Sequence, residues 1–195
     1  MTLIYLVRHG ASTWNAERRW AGQADPPLST LGRAQTQAAC PSLAAPNFER
    51  VISSSLLRAR ATAQIVSRQL KLPPPEIRAD FDERHAGKIS GLTSSEIETT
   101  FPGLLEQWRR GDPIELPGGE LWTTFTSRVI GGFAHFKHCD AQRILLIAHE
   151  GVLRAVAYHL GEPHQKYQNL QGRWLELKPP NFLLIAQASG GLAQP

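Results

Sequence analysis

Apolar residues fall along the chain in two kinds of stretch. Short unbroken runs occur at 3–7 (Leu-Ile-Tyr-Leu-Val) and within 143–148 (Ile-Leu-Leu-Ile-Ala after Arg143), with a shorter one at 51–53. Runs of this length without alternation predict strands buried on both faces. Between them apolar residues recur at helical spacing. Helices are expected over 31–43, with Ser29 as N-cap and Pro41 weakening the end, and over 56–70, where Ala59, Ala63, Val66 and Leu70 share a face. A long one is expected over 120–138, with Phe125, Val129, Ile130, Phe133 and Phe136 along one side, and another over 151–160, stopped by Gly161 and Pro163. Residues 77–81 read as a short strand, and 173–178 with 181–187 as a hairpin around Pro179-Pro180. Strand, loop and helix alternate from the start, which predicts an α/β fold of three layers, α/β/α, around a mostly parallel central sheet.

From 87 to 119 this pattern loosens. A capping box at Thr93-Ser94-Ser95-Glu96 opens one short helix, Phe101-Pro102-Gly103 ends it, and Pro117-Gly118-Gly119 makes a turn. We expect one domain over 1–195, with 87–119 an insertion roofing the site; a surface excursion without a role fits the composition equally. The tail from 189 to 195 reads as frayed.

Composition narrows the function classes. A chain of 195 residues suits one sizeable core, and 42% hydrophobic content without low-complexity tracts argues for a globular fold. The first apolar run is too short for a signal peptide or membrane span and has no basic region before it, so a soluble, cytoplasmic protein without a membrane partner is expected. Cys40 and Cys139 have no ligand spacing, so neither a disulfide scaffold nor a metal site is indicated. The net charge of +4 is spread rather than clustered, which favours a small anionic substrate over nucleic acid. Oligomeric state is not legible.

The candidate chemistry sits where strands end. Arg8 and His9, followed by Gly10, leave the first strand; Arg58 follows Ser53-Ser54-Ser55; His149 ends the run at 143–148; and a fourth segment brings Glu83, with Asp82 beside it. In open α/β sheets the carboxyl ends of parallel strands form the ligand crevice, so these side chains should converge. Arginine forks bind phosphoryl oxygens, and a histidine ring nitrogen can accept a phosphoryl group and release it to water. A carboxylic acid can protonate the departing alkoxide. That scheme calls for no metal and no cofactor.

The same residues carry a family resemblance. Leu-Val-Arg-His-Gly at 6–10, Trp14-Asn15, Gly22-Gln23 with Pro27-Leu28-Ser29 and Gly32, and Ser53-Ser54-x-Leu56-x-Arg58-Ala59-x-x-Thr62-Ala63 resemble the histidine phosphatase superfamily, the phosphoglycerate mutase-like proteins. So do Glu83-x-x-x-Gly87-x-x-x-Gly91, Pro117-Gly118-Gly119-Glu120 and Ala148-His149-x-Gly151-Val152-x-Arg154. The resemblance implies that His9 is the phosphorylated nucleophile, that Arg8, Arg58 and His149 bind the phosphoryl oxygens, that Asn15 and Gln23 are further phosphate contacts, and that Glu83 is the acid/base. It implies a phosphoglycerate mutase-like fold. Ala11, Ser12 and Lys88-Ile89-Ser90 depart from the family's usual residues beside the pocket, which bears on the substrate rather than on the catalytic set.

Within that family the Gly118-Gly119-Glu120 segment and the compact chain resemble the phosphatase branches, including broad-specificity and α-ribazole phosphatases. A metal-independent phosphomonoester hydrolase acting on a small phosphorylated metabolite through a phosphohistidine is the expectation, with a cofactor-dependent phosphoglycerate mutase as the alternative enzyme. A non-catalytic phospho-ligand binding module is the alternative of another class, and it would need neither His9 nor Glu83. Arg18, Arg19 and Trp20, after the nucleophile loop, and Trp108, Arg109 and Arg110, in the insertion, fit a substrate contact and a solvated face equally.

Overall fold

The run at 3–7 forms the middle of β1 (Thr2–Arg8), and its alternation of directions, invisible in an all-apolar string, divides the core in two. The computed structural model describes residues 2–111, 113–163, 165–178 and 183–186, the side chains of 138 and 183–186 excepted. After β1 come α1 (Thr13–Ala16), α2 (Thr30–Ala44), β2 (Arg50–Ser53), α3 (Leu57–Gln69), β3 (Glu76–Ile77), α4 (Ser94–Thr100) and α5 (Leu104–Arg110). Then follow α6 (Trp122–Gly132), β4 (Arg143–Ala148), α7 (Glu150–His159), β5 (Gly172–Lys178) and β6 (Leu183–Ala186).

The strands make one sheet in the order β3-β2-β4-β1-β5-β6. Strands β1 to β4 run parallel to one another, with Arg8 paired to Ala148 across β1 and β4, while β5 pairs antiparallel with β1 and β6 antiparallel with β5. Ile4 and Leu6 of β1 pack with Ile144 and Leu146 against α6 and α7, through Phe125, Val129, Val152 and Val156. Tyr5 and Val7 pack with Leu145 and Ile147 on the other face, against Cys40 and Leu43 of α2 and Ala59, Ala63 and Val66 of α3. Each of the valine, leucine, isoleucine and phenylalanine side chains among them contributes about 1.5–3 kcal/mol once fully buried. The expected three-layer arrangement is what forms. A third, smaller cluster of Ala86, Ile89, Ile97, Leu105, Ile114 and Leu116 lies under the 87–119 segment.

Several elements differ from expectation. Residues 77–81 are not a strand: β3 stops at Ile77 and Ala79–Phe81 turn as a 3-10 helix, because Phe81 is drawn fully into the core beneath Phe133 and Phe136. The helix expected over 120–138 is α-helical only over Trp122–Gly132 and tightens to 3-10 over Phe133–His138. Glu120 stays outside it, its backbone N–H donating to the His85 carbonyl. Pro41 lies inside α2, and the helix runs on to Ala44 because Leu43 is held in the core. The 87–119 segment holds two helices, α4 and α5, where the capping box announced one. The second strand of the hairpin is described over Leu183–Ala186; the rest of 181–187 and the tail from 189 lie outside the described residues.

Candidate active site

The register of β1 against β4 puts Arg8 and Ala148 side by side, so the residues that follow them, His9 and His149, leave the sheet together. Their rings meet edge to face, centroids 5.1 Å apart. Gly10 lets the chain turn here: a Cβ at that position would lie 2.7 Å from Thr36 Oγ1 and 2.8 Å from the Gly32 carbonyl, so a side chain would force α2 away. The Gly10 N–H donates to Thr62 Oγ1 (3.1 Å), and Thr62 in turn donates to the Arg58 carbonyl (2.7 Å), which ties the loop after β1 to the first turns of α3.

These bonds assign the His9 tautomer. Nδ1 lies 2.6 Å from the Gly10 carbonyl, which can only accept, so Nδ1 carries the proton. Nε2 accepts from Arg58 Nε at 3.2 Å and holds a lone pair. His9 is 4% exposed, and burial with the Arg58 and Arg8 charges holds its pKa well below the ordinary 6.5. The neutral ring is the reactive form of an imidazole nucleophile.

Arg58 is fixed by three bonds: Nε to His9, Nη1 to the Ala24 carbonyl (2.9 Å) and Nη2 to the Gly22 carbonyl (2.8 Å). The Gly22-Gln23 segment therefore reaches the site through its backbone. Asn15 lines the cavity in front of His9, whereas Gln23 is not among the residues lining it. The Asn15 carbonyl oxygen accepts the Ser12 N–H in the capping box of α1, leaving the amide nitrogen as its donor.

Arg8 Nη1 donates both to Glu150 Oε2 and to the Tyr167 carbonyl, each at 2.7 Å, while its Nε is buried without a hydrogen-bond partner. His149 is fully buried behind His9, as N-cap of α7. Its Nε2 is 2.6 Å from Ser54 Oγ, and its Nδ1 has no partner. Burial and the neighbouring Arg58, His9 and Arg8 keep it neutral as well.

Asp82 and Glu83, indistinguishable along the chain, separate here. Both Asp82 oxygens are spent on Ser55, accepting from its backbone N–H and its hydroxyl at 2.7 Å each, which locks the β2–α3 loop. Glu83 lines the cavity; its oxygens accept from the Arg84 N–H (2.8 Å) and the Gly151 N–H (3.1 Å). Burial pushes the Glu83 pKa above the ordinary 4.5, against the pull of those two N–H groups and of Arg58. Among the described residues no group of three or more His, Cys, Asp or Glu side chains is placed to hold a metal ion.

Sequence reasoning missed four participants: Ser54 on His149, Glu150 on Arg8, Thr62 on Gly10, and Asn169, whose amide donates to the His9 carbonyl at 2.8 Å. Ser54 and Thr62 fall inside the 53–63 motif, so their places were marked without a role. Asn169 lies in the segment before β5, which carries no pattern. Arg18, Arg19, Trp20, Trp108 and Arg109 all line the cavity.

The sequence pattern of the histidine phosphatase superfamily (branch 1) matches residues 4–177. A 2,3-bisphosphoglycerate-dependent phosphoglycerate mutase of Gloeobacter violaceus is 31% identical over 166 residues, 82% of this chain and 76% of that protein. An uncharacterized phosphatase of Bacillus subtilis, PhoE, is 28% identical over 166 residues, 84% of this chain and 80% of that one. Among solved structures, a mycobacterial glucosyl-3-phosphoglycerate phosphatase superposes with a TM-score of 0.83 at 25% identity, covering 95% of this chain and 98% of that one.

Proposed function

Since the chain belongs to the histidine phosphatase superfamily, we propose that it is a phosphomonoester hydrolase working through a phosphohistidine on His9, on a small phosphorylated metabolite. The observation that carries this reading is the His9 tautomer: Nδ1 is held by the Gly10 carbonyl, and the Nε2 lone pair is kept unprotonated beside two arginines.

The first step begins when a phosphoryl group displaces the Arg58–His9 bond. Arg58 Nε and the unpartnered Arg8 Nε then donate to phosphoryl oxygens, with the neutral, buried His149 behind, and the two guanidinium cations stabilise the charge that spreads over those oxygens in the transition state. His9 Nε2 attacks phosphorus and forms the N–P bond. The ester O–P bond breaks, its electron pair goes to the alcohol oxygen, and that oxygen takes the proton of Glu83. In the second step the Glu83 carboxylate takes a proton from water, the water oxygen attacks phosphorus, and the N–P electron pair returns to Nε2 as inorganic phosphate leaves. The raised Glu83 pKa suits the first half of this cycle and its two N–H donors suit the second.

Two experiments test this together. Turnover of a phosphomonoester should persist in excess chelator, and an acid-labile label taken from a phosphorylated donor should vanish in His9→Ala. Turnover lost in chelator and restored by a divalent ion, or labelling that survives His9→Ala and disappears in His149→Ala, would overturn the scheme. Relatives such as the Gloeobacter violaceus mutase favour a second reading, phosphoglycerate mutase. Interconversion of 3- and 2-phosphoglycerate faster than release of phosphate would establish it. A pure binding module is disfavoured by the neutral His9 and by a buried Glu83 whose pKa is pushed up, neither of which binding alone requires.

A further inference from the structure

The cavity in front of His9 is much larger than a phosphoryl group needs. It encloses about 980 Å3, near the upper end of the range for whole ligand pockets. Arg8, His9 and Arg58 occupy one end. Elsewhere its wall is built from Trp20, Leu105, Trp108, Leu116 and Trp122, so three of the chain's five tryptophans border one space. These rings are held before any ligand arrives. Trp20 meets Trp108 edge to face at 5.2 Å, and the Arg154 guanidinium stacks on Trp108 at 3.7 Å while donating to its carbonyl. Walls fixed in advance lose little freedom on binding.

Two residues of the same wall each carry a buried donor. Trp122 is 3% exposed, and its indole Nε1 has no hydrogen-bond partner. Arg84 is 4% exposed; its Nε and Nη1 are anchored on the Glu120 and Ile114 carbonyls, but Nη2 makes no hydrogen bond, the Glu115 carboxylate being 3.8 Å away. The Arg84 guanidinium lies over the Trp122 ring, 5.4 Å from its centroid, so the two side chains are neighbours. Buried N–H groups without partners are rare because desolvation is not repaid, and a ligand acceptor removes that cost. The phosphoryl chemistry uses neither group. Exposed Arg18, Arg109 and Lys166, also bordering the cavity, favour the entry of an anion.

We propose that Trp20, Trp108, Trp122 and Arg84 form a leaving-group subsite for a flat, largely apolar alcohol bearing one hydrogen-bond acceptor, so that the substrate is the phosphate ester of an aromatic alcohol rather than of a short polyol. The proposal rests on the hydrolase reading above. In it the ring lies along the tryptophan wall, and the acceptor, a carboxylate or carbonyl oxygen, takes the Trp122 indole N–H and Arg84 Nη2.

The test compares three primary alkyl esters whose departing alkoxides are chemically alike: ethyl phosphate, 2-phenylethyl phosphate and 2-(4-carboxyphenyl)ethyl phosphate. We expect kcat/KM on the unaltered enzyme to rise at least about thirtyfold from the first to the second and about tenfold more to the third. Trp108→Leu should shrink the first ratio, and Trp122→Phe, which removes the N–H but keeps an aromatic ring, the second. Ethyl phosphate turned over within about threefold of the other two would overturn the subsite and leave the hydrolase standing. A carboxylated ester no better than the phenyl one would overturn the role of the Trp122 and Arg84 donors. No turnover of any ester would overturn the hydrolase reading, and the subsite with it. The ester series is measured on the unaltered enzyme, so its outcome does not depend on either variant folding.

Discussion

A single methyl group at Gly151 should separate the acid role proposed for Glu83 from everything else in the site. A Cβ built there lies 2.0 Å from Glu83 Oε1, against 3.4 Å for an ordinary contact, so Gly151→Ala must drive the carboxyl group about 1.4 Å away. The obstacle is the end of a flexible side chain, so the backbone of α7 has no need to move. Stability should change little: alanine is better than glycine in a helix by about 1 kcal/mol, and the lost bond from the Gly151 N–H to Oε2 is worth about the same. Catalysis should not be spared. A misplacement of about 1 Å can cost about a hundredfold, and general acid catalysis is worth about 10²–10⁴ in all. We expect kcat/KM for an alkyl phosphate to fall about a hundredfold. For p-nitrophenyl phosphate, whose phenolate leaves without a proton, the loss should be about threefold or less. The assay is steady-state kcat/KM on both esters, with thermal melts of both proteins. Equal losses on the two esters, or an alkyl rate unchanged by the methyl group, would refute Glu83 as the donor. A large fall in melting temperature would refute the claim that only the carboxyl moves.

Other consequences can be checked independently. Glu83→Gln should slow phosphorylation of the enzyme by alkyl esters far more than by nitrophenyl phosphate, measured as a burst or by trapping, whereas Asp82→Asn, which acts through Ser55, should show no such preference. The same variant tests the pKa: with the folded value raised above 4.5, Glu83 contributes stability that is fully present below the unfolded value and lost as pH rises through the folded one. The melting temperature of Glu83→Gln relative to the unaltered protein should therefore climb with pH across that window; a constant difference would contradict the raised value. Arg58→Ala should lower kcat/KM by at least about a hundredfold, and exposed Lys88→Ala far less, in the same assay. Glu150→Gln should release Arg8 Nη1 from its carboxylate and tighten inhibition by inorganic phosphate several-fold; an unchanged inhibition constant would mean that Glu150 does not compete with phosphate for Arg8.

The chain alone determined those elements whose local pattern and tertiary role agree. The apolar runs of β1 and β4 predicted strands buried on both faces, and the end of each run placed a histidine at the rim of a parallel sheet. Arg58 was legible for a similar reason, in the first turn of a helix that begins shortly after β2 ends. Elsewhere local pattern and tertiary demand conflicted, and packing prevailed. The core needed Phe81 more than the sheet needed a longer β3, and α2 ran through Pro41 to seat Leu43. Asp82 and Glu83 are adjacent carboxylates with the same local surroundings in the sequence. Only folding brings Ser55 to one and the Gly151 N–H to the other, across 27 and 68 residues. The large cavity wall has the same origin. Trp20, Trp108 and Trp122 belong to a loop, α5 and α6, and no spacing links them. Periodicity reports which way a side chain faces within its own element, whereas a pocket is made by the distances between elements, and those are decided by the packing of the whole chain.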